Sequence, residues 1–442
     1  RRVGKTRLLL EWSASYDGLY TVADQSAATV QRRYFAEAVA TRFVGFADVT
    51  YPDWKALLDR LVREGARAGW RGPVIIDELP HLVISSPELP SILQNVVDSE
   101  QRRAGLTIVL SGSSQRMMQG LVLDEKAPLY GRASEIVHLM PLRLAHLKDA
   151  LALPNAVETV EHYAAWGGIP RYWETAAKHG GDLVETLKEE VLSPEGVLHL
   201  EADRLLIEEA PPAIALRPIL DAIGAGAHRL SQIGGRVGQP ATSMTRPFKR
   251  LLGMGLVRRE IPFGEPERSS KKALYRIDDP FLRLWFKVVA PHRAMLASAP
   301  QAQAVKLWQK HRSELAAAVW EDLCREAVPR LPPERTELGK DAVWSPARRY
   351  WHGDEPEWDA VAISSDQRSV LLGETRWQKA VTTEKGLIRC IRELEAKKIP
   401  APLTKRRLRE VRVLFVPTIP KGFTCPPSMF LFSAEEILSV LR

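Results

Sequence analysis

The stretch "GWRGPVIIDELPHL" (residues 69–82) constrains the fold more than any other part of the chain. A Gly/Pro break is followed by the β-branched run Val74, Ile75 and Ile76, and then by two consecutive carboxylates, Asp77 and Glu78. A short apolar run with no polar residue to turn toward water reads as a strand covered on both faces, as in parallel sheets flanked by helices. Such a strand presents Asp77 and Glu78 at its C-terminal edge, where open α/β sheets bind their ligands. The plainer reading of the same residues is a strand end with a solvated acidic turn.

The flanking sequence repeats the pattern. "GLYTVAD" (18–24) is a strand candidate, and "AATVQRRYFAEAVATRF" and "PDWKALLDRLVREGARAG" have helical periodicity. "GLTIVLSGSSQRMMQG" (105–120) is an apolar strand, then small polar residues, then a helix, and "EIVHLMPL" (135–142) reads as a last strand. This alternation predicts an α/β domain over 1–142 with a parallel sheet and crossover helices.

At the start of the chain, "RRVGKTRLLLEW" sets Gly4-Lys5-Thr6 directly before a helix-forming run. The P-loop pattern G-x-x-x-x-G-K-[ST] would place its first glycine two positions before Arg1, so this reading expects a truncated loop whose strand and opening precede the sequence. Gly4, Lys5, Thr6 and Arg7 would then line a nucleotide: the helix N-terminus cradles phosphate, Lys5 reaches the β/γ-phosphates, and Thr6 binds Mg2+. Asp77 can hold Mg2+ through its shell, and Glu78 can orient or deprotonate the attacking water. Ser113 or Ser114, at the next strand end, could sense the γ-phosphate or simply cap the following helix. Taken alone, "GKT" is also compatible with a surface turn before an amphipathic helix.

Together, "VGKT", "VIIDELPHL", "LSGSS", "PLYGRASEIVHLMPL" and "WGGIPRYWE" resemble the archaeal-type ATPases of prokaryotes, relatives of the AAA+ and STAND groups of P-loop NTPases. The resemblance covers nearly the whole chain. It implies that Asp77 and Glu78 are the Walker B pair and that Ser113 or Ser114 is the sensor position. It also implies that Gly168 and Pro170, in "GGIPRY", belong to a Gly-x-Pro element in a helical lid over residues 143–205. Locally the same segment could be a helix-breaking turn. Arg132, in "YGR", is a candidate charge-stabilising arginine, with a structural role as the other reading.

Residues 206–290 carry three helical stretches separated by Gly-rich turns and then two strands around a polar turn, the layout of a winged helix. Between Pro240 and Arg276 stand nine basic residues, Arg246, Lys249, Arg250, Arg258, Arg259, Arg268, Lys271, Lys272 and Arg276, against three acidic ones. Arg246, Lys249, Arg250, Lys271 and Lys272 are the candidate nucleic-acid contacts, on the recognition helix and wing where phosphates would fall. Winged helices also serve as protein-interaction modules, and the resembling family has such a domain here.

After a linker at 291–312, residues 313–442 read as helix, three strands, helix and a last strand "REVRVLFVP". This resembles the restriction-endonuclease-like fold, whose metal site joins an Asp to a Glu-x-Lys on the next strand, often with a Glu from the first helix, here Glu321. The resemblance implies Asp359 and Glu374 as metal ligands. However, "GETRW" supplies Arg376 where the pattern has Lys, and arginine stays protonated, so it cannot accept a proton. A nucleic-acid-binding or regulatory domain therefore stands beside active cleavage. The cluster "KRRLREVR" (405–412) suits a solvated edge or a groove contact, and Trp351, Trp358 and Trp377 suit the core of this sheet.

Composition narrows partners and compartment. The chain has 442 residues, 45% of them hydrophobic and 26% charged, with a net charge of +8, which favours anionic partners and several domains. Three distant cysteines form neither a disulfide framework nor a CxxC pair, no apolar run spans a bilayer, and the start lacks a signal-peptide layout. The expectation is a cytoplasmic protein with ATP and Mg2+ as cofactors and no membrane partner; DNA, a protein partner and a homo-oligomer stay open. Function reads as a nucleotide switch that hydrolyses ATP, with an ATPase-regulated nuclease or a non-hydrolysing scaffold as alternatives.

Overall fold

The computed structural model describes residues 2–100, 105–113, 115–122, 124–209, 216–268, 272–339, 341–404, 406–427 and 429–442. They fall into two units, Arg1–Met140 and Pro141–Arg442.

In the first unit, strands β1 (Leu19–Val22), β2 (Pro73–Asp77) and β3 (Thr107–Leu110) form a parallel sheet in the order β1-β2-β3. All five residues of β2 are buried, because the sheet places it between neighbours and helices cover it. Around it run α1 (Lys5–Ser15), α2 (Ala28–Ala40), α3 (Trp54–Ala68), α4 (Leu79–Ser85), α5 (Leu89–Asn95) and α6 (Gln115–Val122). The local chemistry of α3 fixes both its ends. The Asp53 carboxylate accepts a hydrogen bond from the Ala56 N–H, and Gly69 closes the helix at φ 62°, a conformation glycine adopts without strain. Between them Leu57, Leu58, Leu61 and Val62 make the buried stripe that packs into the core.

The expected strand at 135–142 does not form. Ile136, Val137 and Met140 are 51%, 77% and 71% exposed, and the segment runs without regular structure. A strand needs a neighbouring strand to satisfy its N–H and C=O groups along its length, and no described strand pairs with this segment.

The second unit begins with helices α7 (Leu144–Ala150), α8 (Ala156–Trp166), α9 (Pro170–Lys178), α10 (Leu183–Thr186) and α11 (Glu201–Glu209). Three further helices follow, α12 (Arg217–Gly224), α13 (Leu230–Val237) and α14 (Thr245–Gly253), then an antiparallel hairpin of β4 (Val257–Glu260) and β5 (Leu274–Ile277). The turn between α13 and α14 requires its glycines: Gly238 sits at φ 70°, and a Cβ on Gly234 would lie 2.6 Å from the Gln239 carbonyl.

After α15 (Pro280–Leu284) and α16 (Arg293–Ser298), a single 27-residue helix, α17 (Gln301–Ala327), replaces most of the expected linker at 291–312. The reason lies in its burial pattern: Ala304 and Trp308 continue, one turn apart, the apolar face that carries Leu315, Val319, Trp320 and Leu323. The C-terminal sheet is mixed, in the order β10-β9-β8-β7-β6. Its strands are β6 (Arg348–Tyr350), β7 (Trp358–Ile363), β8 (Ser369–Thr375), β9 (Arg409–Val416) and β10 (Met429–Ser433), with α18 (Glu384–Ala396) and α19 (Ala401–Thr404) between β8 and β9. Thus "REVRVLFVP" is not the last strand. β10 follows it, and α20 (Ala434–Val440) starts at a reciprocal cap between Ser433 and Glu436. Trp351, Trp358 and Trp377 are buried, as their residue type suggests. Among the described residues no helix is long and apolar enough to cross a membrane.

Candidate functional site

The parallel register aligns Val22 with Asp77 and Ile76 with Leu110, so the residues just past the three strands gather at one sheet edge. Asp77 is buried there, and three donors hold its carboxylate. Thr6 Oγ1 donates to Oδ2 at 2.9 Å, Tyr20 OH donates to the same oxygen at 2.9 Å, and the Glu78 N–H donates to Oδ1 at 3.0 Å. Thr6 comes from the first turn of α1, which opens at Gly4 in the left-handed region (φ 88°) with no side-chain cap on its first N–H groups. Lys5 stands at the same turn, half-buried, with no hydrogen bond or ion pair among the described residues. A hydroxyl and a carboxylate meeting at an uncapped helix N-terminus are the hard oxygen pair that Mg2+ takes beside phosphate, so the residues present fit that ion.

Glu78 lies next to this pair with its backbone at φ 55°, ψ 40°, in the left-handed region that a glutamate rarely enters. Its Oε2 accepts both the Ser113 N–H at 3.1 Å and the Ser113 hydroxyl at 3.0 Å. Ser113 therefore contacts the second carboxylate in this structure. Ser114 lies outside the described residues. Gly112, just before, has no space for a side chain: a Cβ would sit 2.7 Å from Met118 Sδ and 2.8 Å from Pro80.

The other expected site residues have contacts of their own. Arg7 points along α1 and pairs with Glu11 at 2.6 Å, both largely exposed. Arg132 closes a fork on Asp98, with contacts of 3.0, 3.1 and 2.9 Å, and also donates to the Tyr130 carbonyl. Gly168 and Pro170 belong to the second unit. Gly168 gives its carbonyl to the Leu142 N–H at 2.7 Å, and a Cβ there would lie 2.2 Å from the Leu142 carbonyl, so close chain packing already requires this glycine. Pro170 occupies the first turn of α9, where a missing N–H is harmless.

In the C-terminal sheet, the Ala360–Gly373 pair sets Asp359 beside Glu374, as a hairpin at Asp366 requires. Asp359 Oδ2 accepts from the N–H and hydroxyl of Thr375, both at 2.9 Å. Glu374 accepts from Arg376 at 2.8 Å and forms an ion pair with Lys397, at the end of α18. Burial, then the Asp359 charge, raises the Glu374 carboxyl above the usual range, with Lys397 and Arg376 opposing. Among the described residues no three His, Cys, Asp or Glu form a group that could hold a metal.

The basic stripe divides in two. Arg246 and Lys249 are exposed on α14, and Arg250 is half-buried. Arg258 and Arg276 instead turn inward: Arg258 pairs with Glu260 and Asp322, and Arg276 with Glu260. Lys272 pairs with Glu265 at 2.5 Å, and Lys271 lies outside the described residues. In "KRRLREVR", Arg409 donates to the Thr336 and Glu337 carbonyls and Arg412 caps the last carbonyls of α18, so these two build the fold.

Three comparisons bear on the chain. A model of the family DUF234, described as "Archaea bacterial proteins of unknown function", matches residues 285–398, the stretch from just after α15 to just past α18 that holds Asp359, Glu374 and Lys397. "Uncharacterized protein MJECL04" of Methanocaldococcus jannaschii is 26% identical over 386 residues, 86% of this chain and 81% of that one. Among solved structures, the Walker-type ATPase PABY2304 of Pyrococcus abyssi superposes with a TM-score of 0.50 at 19% identity, covering 65% of this chain and 89% of that one. The likeness is one of fold. The Aeropyrum pernix ORC2 protein reaches a TM-score of 0.37 at 15% identity, over 72% of this chain and 85% of that one. The sequence reading missed Tyr20 and Lys397, whose contacts with Asp77 and Glu374 arise only from strand register and helix placement.

Proposed function

We propose that this protein is a cytoplasmic, Mg2+-dependent ATPase that works as a nucleotide switch coupled to nucleic acid or to a protein partner. The observation that carries the reading is the Thr6–Asp77 hydrogen bond, 2.9 Å long, between a helix N-terminus after Gly-Lys and the end of a buried parallel strand 71 residues away. Thr6 and Asp77 would hold Mg2+, which neutralises phosphate charge when bound. Lys5 binds the β/γ-phosphates, the N–H groups of the first turn of α1 cradle them, and Glu78 orients and deprotonates the attacking water. Ser113 senses the γ-phosphate, and its contact with Glu78 links that sensing to the base. Helices α12–α14 with the β4–β5 hairpin act as a winged helix whose Arg246 and Lys249 face phosphate. Helices α7–α11 act as the lid. The similarity of fold to a Walker-type ATPase supports the reading.

Lys5→Ala tests it. Loss of a charge-assisted contact is expected to weaken ATP binding by about 10- to 100-fold in an equilibrium titration with a fluorescent ATP. Affinity equal to that of the wild type would remove Lys5 from a phosphate site.

A second reading, metal-dependent cleavage of nucleic acid by a restriction-endonuclease-like C-terminal domain, draws on the adjacency of Asp359 and Glu374. The cations already on Glu374 argue against it, since Arg376 and Lys397 neutralise the carboxylate that a metal would need. Incubated with DNA and Mg2+ or Mn2+, the wild type is expected to cut no more than an Asp359→Ala/Glu374→Ala control. Cleavage that disappears in the control would establish the nuclease.

A further inference from the structure

A hydroxyl outside the loop-and-helix motif holds the Asp77 carboxylate. Tyr20 pairs in register with Ile75, and side chains two apart along a strand share a face, so Tyr20 and Asp77 lie diagonally across adjacent strands on the same side of the sheet. A short side chain could not bridge that diagonal. The tyrosine ring does, and its OH reaches Asp77 Oδ2 at 2.9 Å.

We propose that Tyr20 is the residue that positions Asp77 for Mg2+, an inference that rests on the nucleotide reading above. An ionised carboxylate offers about four lone-pair directions. Among the described residues, Thr6, Tyr20 and the Glu78 N–H occupy three of them, which leaves one direction for the shell of a cation. The tethers differ in rigidity. Thr6 sits on an exposed helix start whose Leu8 and Leu10 also face water, whereas Tyr20 and the Glu78 N–H belong to, or directly follow, strands of the sheet. Thr6 must also turn its oxygen to the cation, whereas the Tyr20 hydroxyl can stay on the carboxylate when the cation binds. Partners that orient a metal-binding group in this way typically change metal affinity by about 10- to 100-fold when removed.

Tyr20→Phe keeps the ring and deletes the hydroxyl. The full chain would be titrated with fluorescent ATP at increasing Mg2+ and, separately, in EDTA, with a thermal melt alongside. The Mg2+ concentration that half-saturates the enhancement of ATP binding is expected to rise about tenfold in the variant, while affinity in EDTA stays within about twofold and the melt falls by no more than the loss of one hydrogen bond to a carboxylate costs, leaving the variant folded at the titration temperature. An unchanged Mg2+ half-saturation overturns the proposal. Equal losses in both arms, or a lowered melt that accounts for them, also overturn it, because the hydroxyl would then serve only the fold. If the wild type binds no ATP, the nucleotide reading fails and this inference with it; if it binds ATP without any Mg2+ dependence, the Mg2+ site fails and so does this inference, and both outcomes are visible before any variant is compared.

Discussion

Glu78→Gln is expected to bind ATP as the wild type does and to lose about 100- to 10,000-fold in turnover, the range a positioned general base supplies. The substitution is nearly isosteric and keeps an amide oxygen for the two Ser113 donors, so the local geometry survives. What disappears is the ability to take a proton from water. The backbone at this position adds to the expectation: a non-glycine residue in the left-handed region stores on the order of 1–3 kcal/mol and persists only where the surroundings enforce it. Here the enforcement is visible, because the Glu78 N–H donates to Asp77 while the Leu79 N–H donates to the Ser111 carbonyl at 2.9 Å. The turn therefore aims two consecutive carboxylates at separate partners, Asp77 toward Thr6 and Glu78 toward Ser113. Phosphate release with ATP in excess reads the turnover, and fluorescent ATP binding reads the retained affinity. Turnover at the wild-type rate would remove Glu78 as the base, and loss of binding would show that its role is structural.

What could be read in the sequence was whatever short-range chemistry dictates. The run before Asp77 is apolar on every residue, so only a strand covered on both faces suits it, and β2 is such a strand. Asp53 and Gly69 bracket α3 by capping rules that act within three residues. What could not be read depends on partners far along the chain. The segment 135–142 has strand propensity, yet no described strand pairs with it. The stretch 291–312 has polar residues enough for a linker, but Ala304 and Trp308 extend a buried stripe that becomes visible only when α17 packs. The "SAEE" that opens α20 is a local capping signature and could have been found. Charge pairing was the largest blind spot: Arg246 and Arg258 are the same residue type twelve positions apart, one in water and one against Asp322.

That contrast supplies the second large effect. Three guanidinium groups converge on the largely buried Asp322 of α17: Arg258 at 2.7 and 2.5 Å, Arg283 at 2.7 Å and Arg325 at 2.5 Å. Burial opposes ionisation, but Arg283, Arg258 and Arg325 outweigh it and hold the Asp322 carboxyl well below the usual carboxylate range. Glu260 follows the same logic, with burial opposed by Arg258 and Arg276, and sits at about 2. Folded values below the unfolded ones mean that the stabilisation is complete above about pH 4.5 and fades as pH falls toward 2. Asp322→Ala removes the anion that the three arginines share, although Arg258 keeps Glu260 and Arg325 keeps Glu321. It is expected to destabilise the second unit by about 3–5 kcal/mol, read from the denaturant midpoint of tryptophan fluorescence. Arg246→Ala/Lys249→Ala should do the reverse: stability within about 0.5 kcal/mol of wild type, with DNA affinity lowered and the salt dependence of binding flattened by about two counterions. A wild-type midpoint in Asp322→Ala would refute the buried network as a structural element. Unaltered DNA binding in the double variant would take α14 out of the nucleic-acid interface and leave the hairpin and its helices as a protein-docking module.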